Sequence, residues 1–238
     1  MRRAVLGLLM LLAGCQRDTP AGPPVDASAY DAFFLWPGMV PPPGARVRTL
    51  YLLNGEVRRG GPARLTPLRP GLPHLPGRRL WLVLRVERLD WSAGTYAAML
   101  ADLARWRGAG NAVEGVQIDF DAATNGLGSY ADFLKDLRAR LPADTHLSVT
   151  GLMDWSAHGD PAVLAQLSGI VDEVVVQTYQ GRNTIPGYQA YFRRMGHFPI
   201  PFRVALAQGG AWEAPPDLAR NPRFGGYVVF MLKQRRGQ

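Results

Sequence analysis

The fold class this sequence predicts is α/β, and within it a compact (β/α)8 barrel of TIM type. Three observations predict it. Short β-branched or apolar runs alternate with segments of helical period, which is the pattern of parallel strands joined by helical crossovers. Eight such runs can be counted: 33–36, 48–53, 80–86, 115–121, 146–153, 173–179, 202–207 and 227–232. Setting aside the first 28 of 238 residues leaves about 210, near the lower end of the range for this barrel.

The elements follow in order. The first run is short, and the second ends at Asn54-Gly55-Glu56, which also reads as a turn. Between the second and third runs, residues 55–79 are loaded with Gly, Pro and Arg and have no helical period, so this crossover is expected to be irregular. Residues 94–107 place Tyr96, Met99, Leu100, Leu103 and Trp106 on one helical face, with Ser92 as cap. After the fourth run, Tyr130, Phe133, Leu134, Leu137 and Leu141 repeat the pattern, with Ser129 as candidate cap and Pro142 as the stop. Asp160 and Pro161 open a helix over 161–170, and residues 188–195 form a shorter helical candidate. The alternative fold is an open doubly wound sheet, but no Gly-x-Gly-x-x-Gly turn follows a strand, which counts against dinucleotide binding.

The N-terminus has an order of its own. Arg2-Arg3 precedes an apolar stretch from Ala4 to Ala13, too short to span a bilayer, and then Gly14 and Cys15. Leu12-Ala13-Gly14-Cys15 resembles the lipobox of bacterial lipoproteins. That resemblance implies a signal peptide over 1–14, diacylation of Cys15 and membrane attachment through the lipid; an ordinary secretory signal with an incidental cysteine is the alternative. Gln16 in place of Asp after the cysteine resembles sorting to the outer membrane, facing the periplasm. Residues 15–28, rich in Pro, Ala, Gly and Asp, are expected to be a flexible tether, and 29–238 the barrel domain. Cys15 is the sole cysteine, so a disulfide framework within the chain is excluded.

The formal charge is +8, from 27 Lys and Arg against 19 Asp and Glu, but the basic residues are scattered and nearly all arginine. No basic stripe interleaved with aromatics is present, so nucleic acid is not an expected partner. A saccharide is, together with the membrane through the anchor, for a protein expected to be monomeric. His74, His146, His158 and His197 are dispersed without metal-ligand spacing, so neither metal nor cofactor is expected. No Gly-x-Ser-x-Gly elbow or phosphate-cradling loop supports serine or nucleotide hydrolysis.

The chemistry concentrates in Glu114-Gly115-Val116-Gln117-Ile118-Asp119-Phe120-Asp121. Strand alternation puts Gln117, Asp119 and Asp121 on one face and Val116, Ile118 and Phe120 on the other. The apolar set needs the helix layer, so the polar set is expected to point into the barrel. Two adjacent carboxylates raise one another's proton affinity, so that one can stay protonated beside a charged neighbour, which glycosidic cleavage requires. The plainer alternative is that Asp119 ends the strand and Asp121 caps a turn. This segment resembles the fourth-strand signature of family-18 glycosidases, Asp-Gly-x-Asp-x-Asp-x-Glu, with Glu114, Gly115, Gln117, Asp119 and Asp121 at its five defined positions. Gln177-Thr178-Tyr179-Gln180 resembles that family's Met-x-Tyr-Asp. The resemblance is partial, because Gln117 and Gln180 cannot ionise and Asp121 is a methylene shorter than glutamate. The segments 116–122, 147–155 and 174–180 are more similar still to a family of envelope lipoproteins with a barrel domain and no assigned reaction.

Asp121 is thus expected to be the general acid, Asp119 its electrostatic partner, and Asp154, at the end of the face Ser148-Thr150-Leu152, the second carboxylate. Glu56 is a weaker candidate for that role. Gln117, Gln177, Tyr179, Trp36, Arg85, Trp155 and Gln208 are expected to bind substrate, with Glu87 and Trp212 also near strand ends; for each tryptophan the alternative is the core. The expected function is an envelope-anchored, glycoside-hydrolase-like protein acting on or binding a glycan. The alternative is a non-catalytic glycan-binding or envelope-assembly lipoprotein on a degenerate hydrolase barrel.

Overall fold

The computed structural model describes residues 22–232. Eight parallel strands close into a barrel: β1 (Ala32–Leu35), β2 (Thr49–Val57), β3 (Arg79–Val86), β4 (Ala112–Asp119), β5 (His146–Leu152), β6 (Glu173–Gln177), β7 (Phe202–Ala207) and β8 (Phe224–Phe230). Closure comes from β1, which pairs in parallel with β2 on one side and β8 on the other. The predicted fold class is therefore the observed one. Helices α1 (Ala93–Gly108), α2 (Leu127–Arg140), α3 (Met153–His158), α4 (Pro161–Ser168) and α5 (Tyr188–Arg194) fill the four crossovers from β3 to β7. As expected, no helix lies between β2 and β3; instead a short strand, Leu65–Pro67, folds back antiparallel on the end of β2.

Alternation sorts the side chains into two cores. Val116 and Ile118 of β4 join Met99, Leu103, Leu134 and Leu137 of the helices in the outer layer. Tyr51, Leu53, Trp81, Val83, Val175, Ala205 and Val228 fill the lumen. The strand-four glycine has a steric cause: a Cβ on Gly115 would lie 2.1 Å from the His146 carbonyl oxygen, so β4 and β5 can approach only without one.

Several local expectations change. Ser92 caps α1 and Asp160 caps α4, as read. Ser129 does not cap α2, which begins at Leu127 after a 3-10 turn. Glu56 is no turn residue: β2 runs on to Val57, and a bulge after Leu53 turns Asn54 outward, where it accepts a hydrogen bond from the Trp106 indole at 3.0 Å. The tether expected through residue 28 does not extend over 22–28. Val25 is buried, its backbone pairs with Gly209 and Gly210, and Trp212 N–H donates to the Pro23 carbonyl. Cys15, the signal segment and the earlier part of the tether lie outside the described residues.

Candidate active site

The C-terminal strand ends open into a cavity of about 640 Å³. Its acid wall is Asp119, the last residue of β4, and Asp121, two residues on. Its aromatic wall is Phe34 and Trp36 from β1 and just beyond, Tyr179 after β6, and Phe230 ending β8. Tyr179 stacks on Phe230 with centroids 5.3 Å apart, and Phe34 and Trp36 lie 5.5 and 6.2 Å from the same ring. Small side chains at Thr150, Val175 and Ala205 leave the space between these walls. Period-2 side-chain direction brings residues from seven strands to one mouth.

Electrostatics separates the two aspartates. Burial raises the proton affinity of the Asp119 carboxyl above the ordinary aspartate value, and the negative charge of Asp121 pushes the same way. The Thr150 hydroxyl, which donates to Asp119, and the Arg85 guanidinium oppose that rise without cancelling it. Asp121, by contrast, is exposed. The Tyr179 hydroxyl is also held protonated, first by burial and then by the nearby charge of Asp119.

Arg85 stands beside Asp119 in the β3–β4 register, with its guanidinium over the Trp36 ring at 5.5 Å. Gln177 lines the cavity while its amide donates to the Tyr179 carbonyl at 2.8 Å, fixing the turn that carries the tyrosine. The expected residues Asp119, Asp121, Trp36, Arg85, Gln177 and Tyr179 therefore converge.

Four do not. Asp154 falls in the first turn of α3, because the helix starts at Met153 and ends the alternation of β5; it is exposed and accepts from the Tyr191 hydroxyl of α5. Trp155, on the same helix, is fully buried on the outer side of the barrel, 6.4 Å from the Phe198 ring. Gln208 turns its side-chain oxygen to the Leu232 backbone N–H at 3.2 Å. Gln117 faces inward as expected but lies one layer below the cavity, fully buried, donating to Ser148 at 3.2 Å. Trp212 is likewise core, stacked on Tyr188 at 4.5 Å. Sequence reading missed Thr150, Phe34, Phe230 and Arg59 as cavity residues. Phe34 shares a strand face with Trp36 and Thr150 with Ser148, so periodicity held a signal for both.

Comparison with known proteins adds the following. The family described as a domain of unknown function (DUF3142) matches residues 77–190, a span that includes β3 to β6 and both aspartates. No curated protein matches. Among solved structures, the chitinase domain of the spore coat protein CotE from Clostridium difficile is similar at 12% identity and TM-score 0.52, covering 87% of this chain and 71% of that one. The class V chitinase from Nicotiana tobaccum is similar at 11% identity and TM-score 0.50, covering 74% and 66%, and a variant of it was solved in complex with NAG4. The spore cortex-lytic enzyme SleL from Bacillus megaterium is similar at 14% identity and TM-score 0.50, covering 79% and 51%. The chain thus spans about half the length of that enzyme. At such identities the likeness is one of fold, a TIM-type α/β barrel.

Proposed function

We propose that the protein binds a glycan in the barrel mouth and cleaves it by carboxylate acid chemistry, held at the cell envelope by a lipid on Cys15. The observation that carries this reading is the pair Asp119 and Asp121 at the end of β4, facing an aromatic wall across an open cavity. Flat rings such as Trp36 and Tyr179 offer apolar faces on which sugars stack. A barrel strand end is also where catalytic groups of this fold reside. A saccharide-bound chitinase of the same fold is consistent with a glycan ligand.

In this reading the two aspartates exchange the roles expected from the strand pattern, and burial supports the exchange. Asp119 keeps its proton to higher pH and is the better general acid, whereas exposed Asp121 is the better charged partner. In this reading the Asp119 carboxyl gives its proton to the glycosidic oxygen as the bond to the anomeric carbon breaks. The Asp121 carboxylate stabilises the positive charge that develops on the ring. Water then adds to the anomeric carbon and returns a proton to Asp119.

The test compares Asp119→Asn and Asp121→Asn on a panel of envelope glycans and on a glycoside with a dinitrophenyl leaving group. Loss of the acid should cost about 10²–10⁴-fold on the glycan, but far less on the activated glycoside, whose leaving group needs no proton. Asp121→Asn should lose rate on both substrates. Full glycan turnover by Asp119→Asn would sink the assignment. One observation favours a binding protein without turnover: the second carboxylate expected at Asp154 lies outside the cavity. Glycan binding with no new reducing ends in wild type would establish that reading. Lipidation is checked separately by incorporation of an alkynyl palmitate into the full chain and its loss in Cys15→Ser. Unchanged labelling of that variant would refute the anchor.

A further inference from the structure

The partly buried arginines of this barrel are almost all engaged. Arg69 donates to the carbonyls of Leu53 and Leu35, Arg88 to Asp90, Arg107 to Asp144, Arg138 to the Thr145 carbonyl and Arg203 to Glu173. Arg85 differs. Among the described residues its guanidinium makes no hydrogen bond or ion pair; it lies over the Trp36 ring at 5.5 Å and its charge acts on Asp119. Neither interaction uses its N–H donors. A guanidinium presents five donors in a planar fork that matches a carboxylate two bonds at a time.

Position gives those free donors a use. Arg85 lines both the main cavity and a second hollow of about 440 Å³ that continues from it past Trp36 and Glu87 toward Glu56 and Arg58. The acids on that side are already occupied. Glu56 pairs with Arg58 at 2.6 Å, and Glu87 accepts from the Arg59 backbone N–H at 2.9 Å. Arg59 adds a second basic residue to the cavity lining. The mouth thus carries Asp119 and Asp121 at the end of β4 and, on the neighbouring β3 and beyond β2, Arg85 and Arg59, with Arg85 next to Asp119 in register. A neutral sugar would leave the Arg85 fork to water. A sugar with a carboxylate would fill it while the cleaved linkage rested against the aspartates.

We infer that the glycan taken here is acidic, carrying a carboxylate on or beside the ring next to the cleaved linkage, and that Arg85 receives that group. This rests on the glycan reading above and adds to it the charge of the substrate. The measurement is binding, by calorimetry on the folded protein, of oligosaccharides bearing glucuronate, galacturonate or lactyl carboxylates. Each is paired with its carboxyl-reduced twin, which keeps the sugar skeleton and loses the charge. The expected result is a preference of about tenfold or more for the acidic member of at least one pair, weakening as salt is added. Arg85→Gln should abolish that ratio, and Arg59→Gln should reduce it. Equal affinity for both twins of the best-bound pair overturns the inference and leaves the glycan reading standing. A preference that survives in folded Arg85→Gln overturns the assignment to Arg85. Binding of no oligosaccharide, acidic or neutral, overturns both readings. Were Arg85→Gln not to fold, the wild-type comparison of twins would still decide the charge of the substrate.

Discussion

Below the cavity the lumen is closed by an ion pair, and Glu173→Gln tests what that closure contributes to stability. Glu173 accepts from the Tyr51 hydroxyl at 2.7 Å, from Ser148 at 3.3 Å and from Arg203 Nε at 2.9 Å. The Glu173 and Arg203 side chains are 15% and 20% exposed, so water can compensate either only in part. Glutamine keeps the length but removes the charge, and it turns one acceptor into a donor facing a ring of donors. Removing one member of a buried pair costs about 3–5 kcal/mol, and the residual exposure argues for the lower figure. With a melting shift of roughly 2–4 °C per kcal/mol for a domain of this size, a loss of about 3 kcal/mol is a drop of roughly 6–12 °C. Urea unfolding of wild type, Glu173→Gln, Arg203→Met and the double variant gives the coupling directly. The double variant should recover part of the loss, because it removes the unpaired charge. A loss under about 1 kcal/mol in Glu173→Gln, or strictly additive single variants, would refute the view that the pair is buried and mutually dependent.

Two further outcomes follow from the site and its strand. Asp119 has a proton affinity raised by burial, so the folded state favours its protonated form, and the stability this gives is lost as pH rises through the ordinary aspartate range to the raised value. Asp119→Asn should therefore melt above wild type at neutral pH, with the difference closing below about pH 4; a variant less stable than wild type at pH 7 would contradict the burial argument. Gly115→Ala places a methyl against the His146 backbone carbonyl and should destabilise by about 1–3 kcal/mol, and an unchanged melting temperature would show that β4 and β5 separate at no cost.

Period and composition made much of the barrel legible. Phe202–Ala207 was expected to the residue, and Val116 and Ile118 face the helices because an apolar face has only one place to go. Periodicity gives the face of a strand but neither its depth nor its end. Gln117 and Asp119 share a face, yet the first lies under the cavity and the second in its wall; the difference is one layer of the lumen, set by register between strands. Asp154 continued a true alternation through Ser148 and Thr150, and α3 interrupts it with six residues too short to show a helical period. Trp155 and Gln208 were placed near strand ends correctly, but the side of the barrel on which they lie depends on the turn that follows each strand.

The two ends of the lumen make opposite use of one rule, that inward side chains must either fill space or satisfy one another. At the lower end Tyr51 and Trp81 stack with planes 2° apart, and Glu173, Arg203 and Ser148 bond among themselves, so that layer is full. At the upper end the small side chains Thr150, Val175 and Ala205 line the mouth together with Phe34 and Phe230, and the space above them is the cavity. Rigidity follows the same division. Arg85, Asp119 and Gln177 sit within paired strands, whereas Asp121 lies just past the end of β4. A proton donor must hold its distance to the leaving oxygen, while a charge that stabilises a spread-out cation tolerates movement. Backbone placement thus favours Asp119 as the acid and Asp121 as the counter-charge, independently of the burial that raises the proton affinity of Asp119.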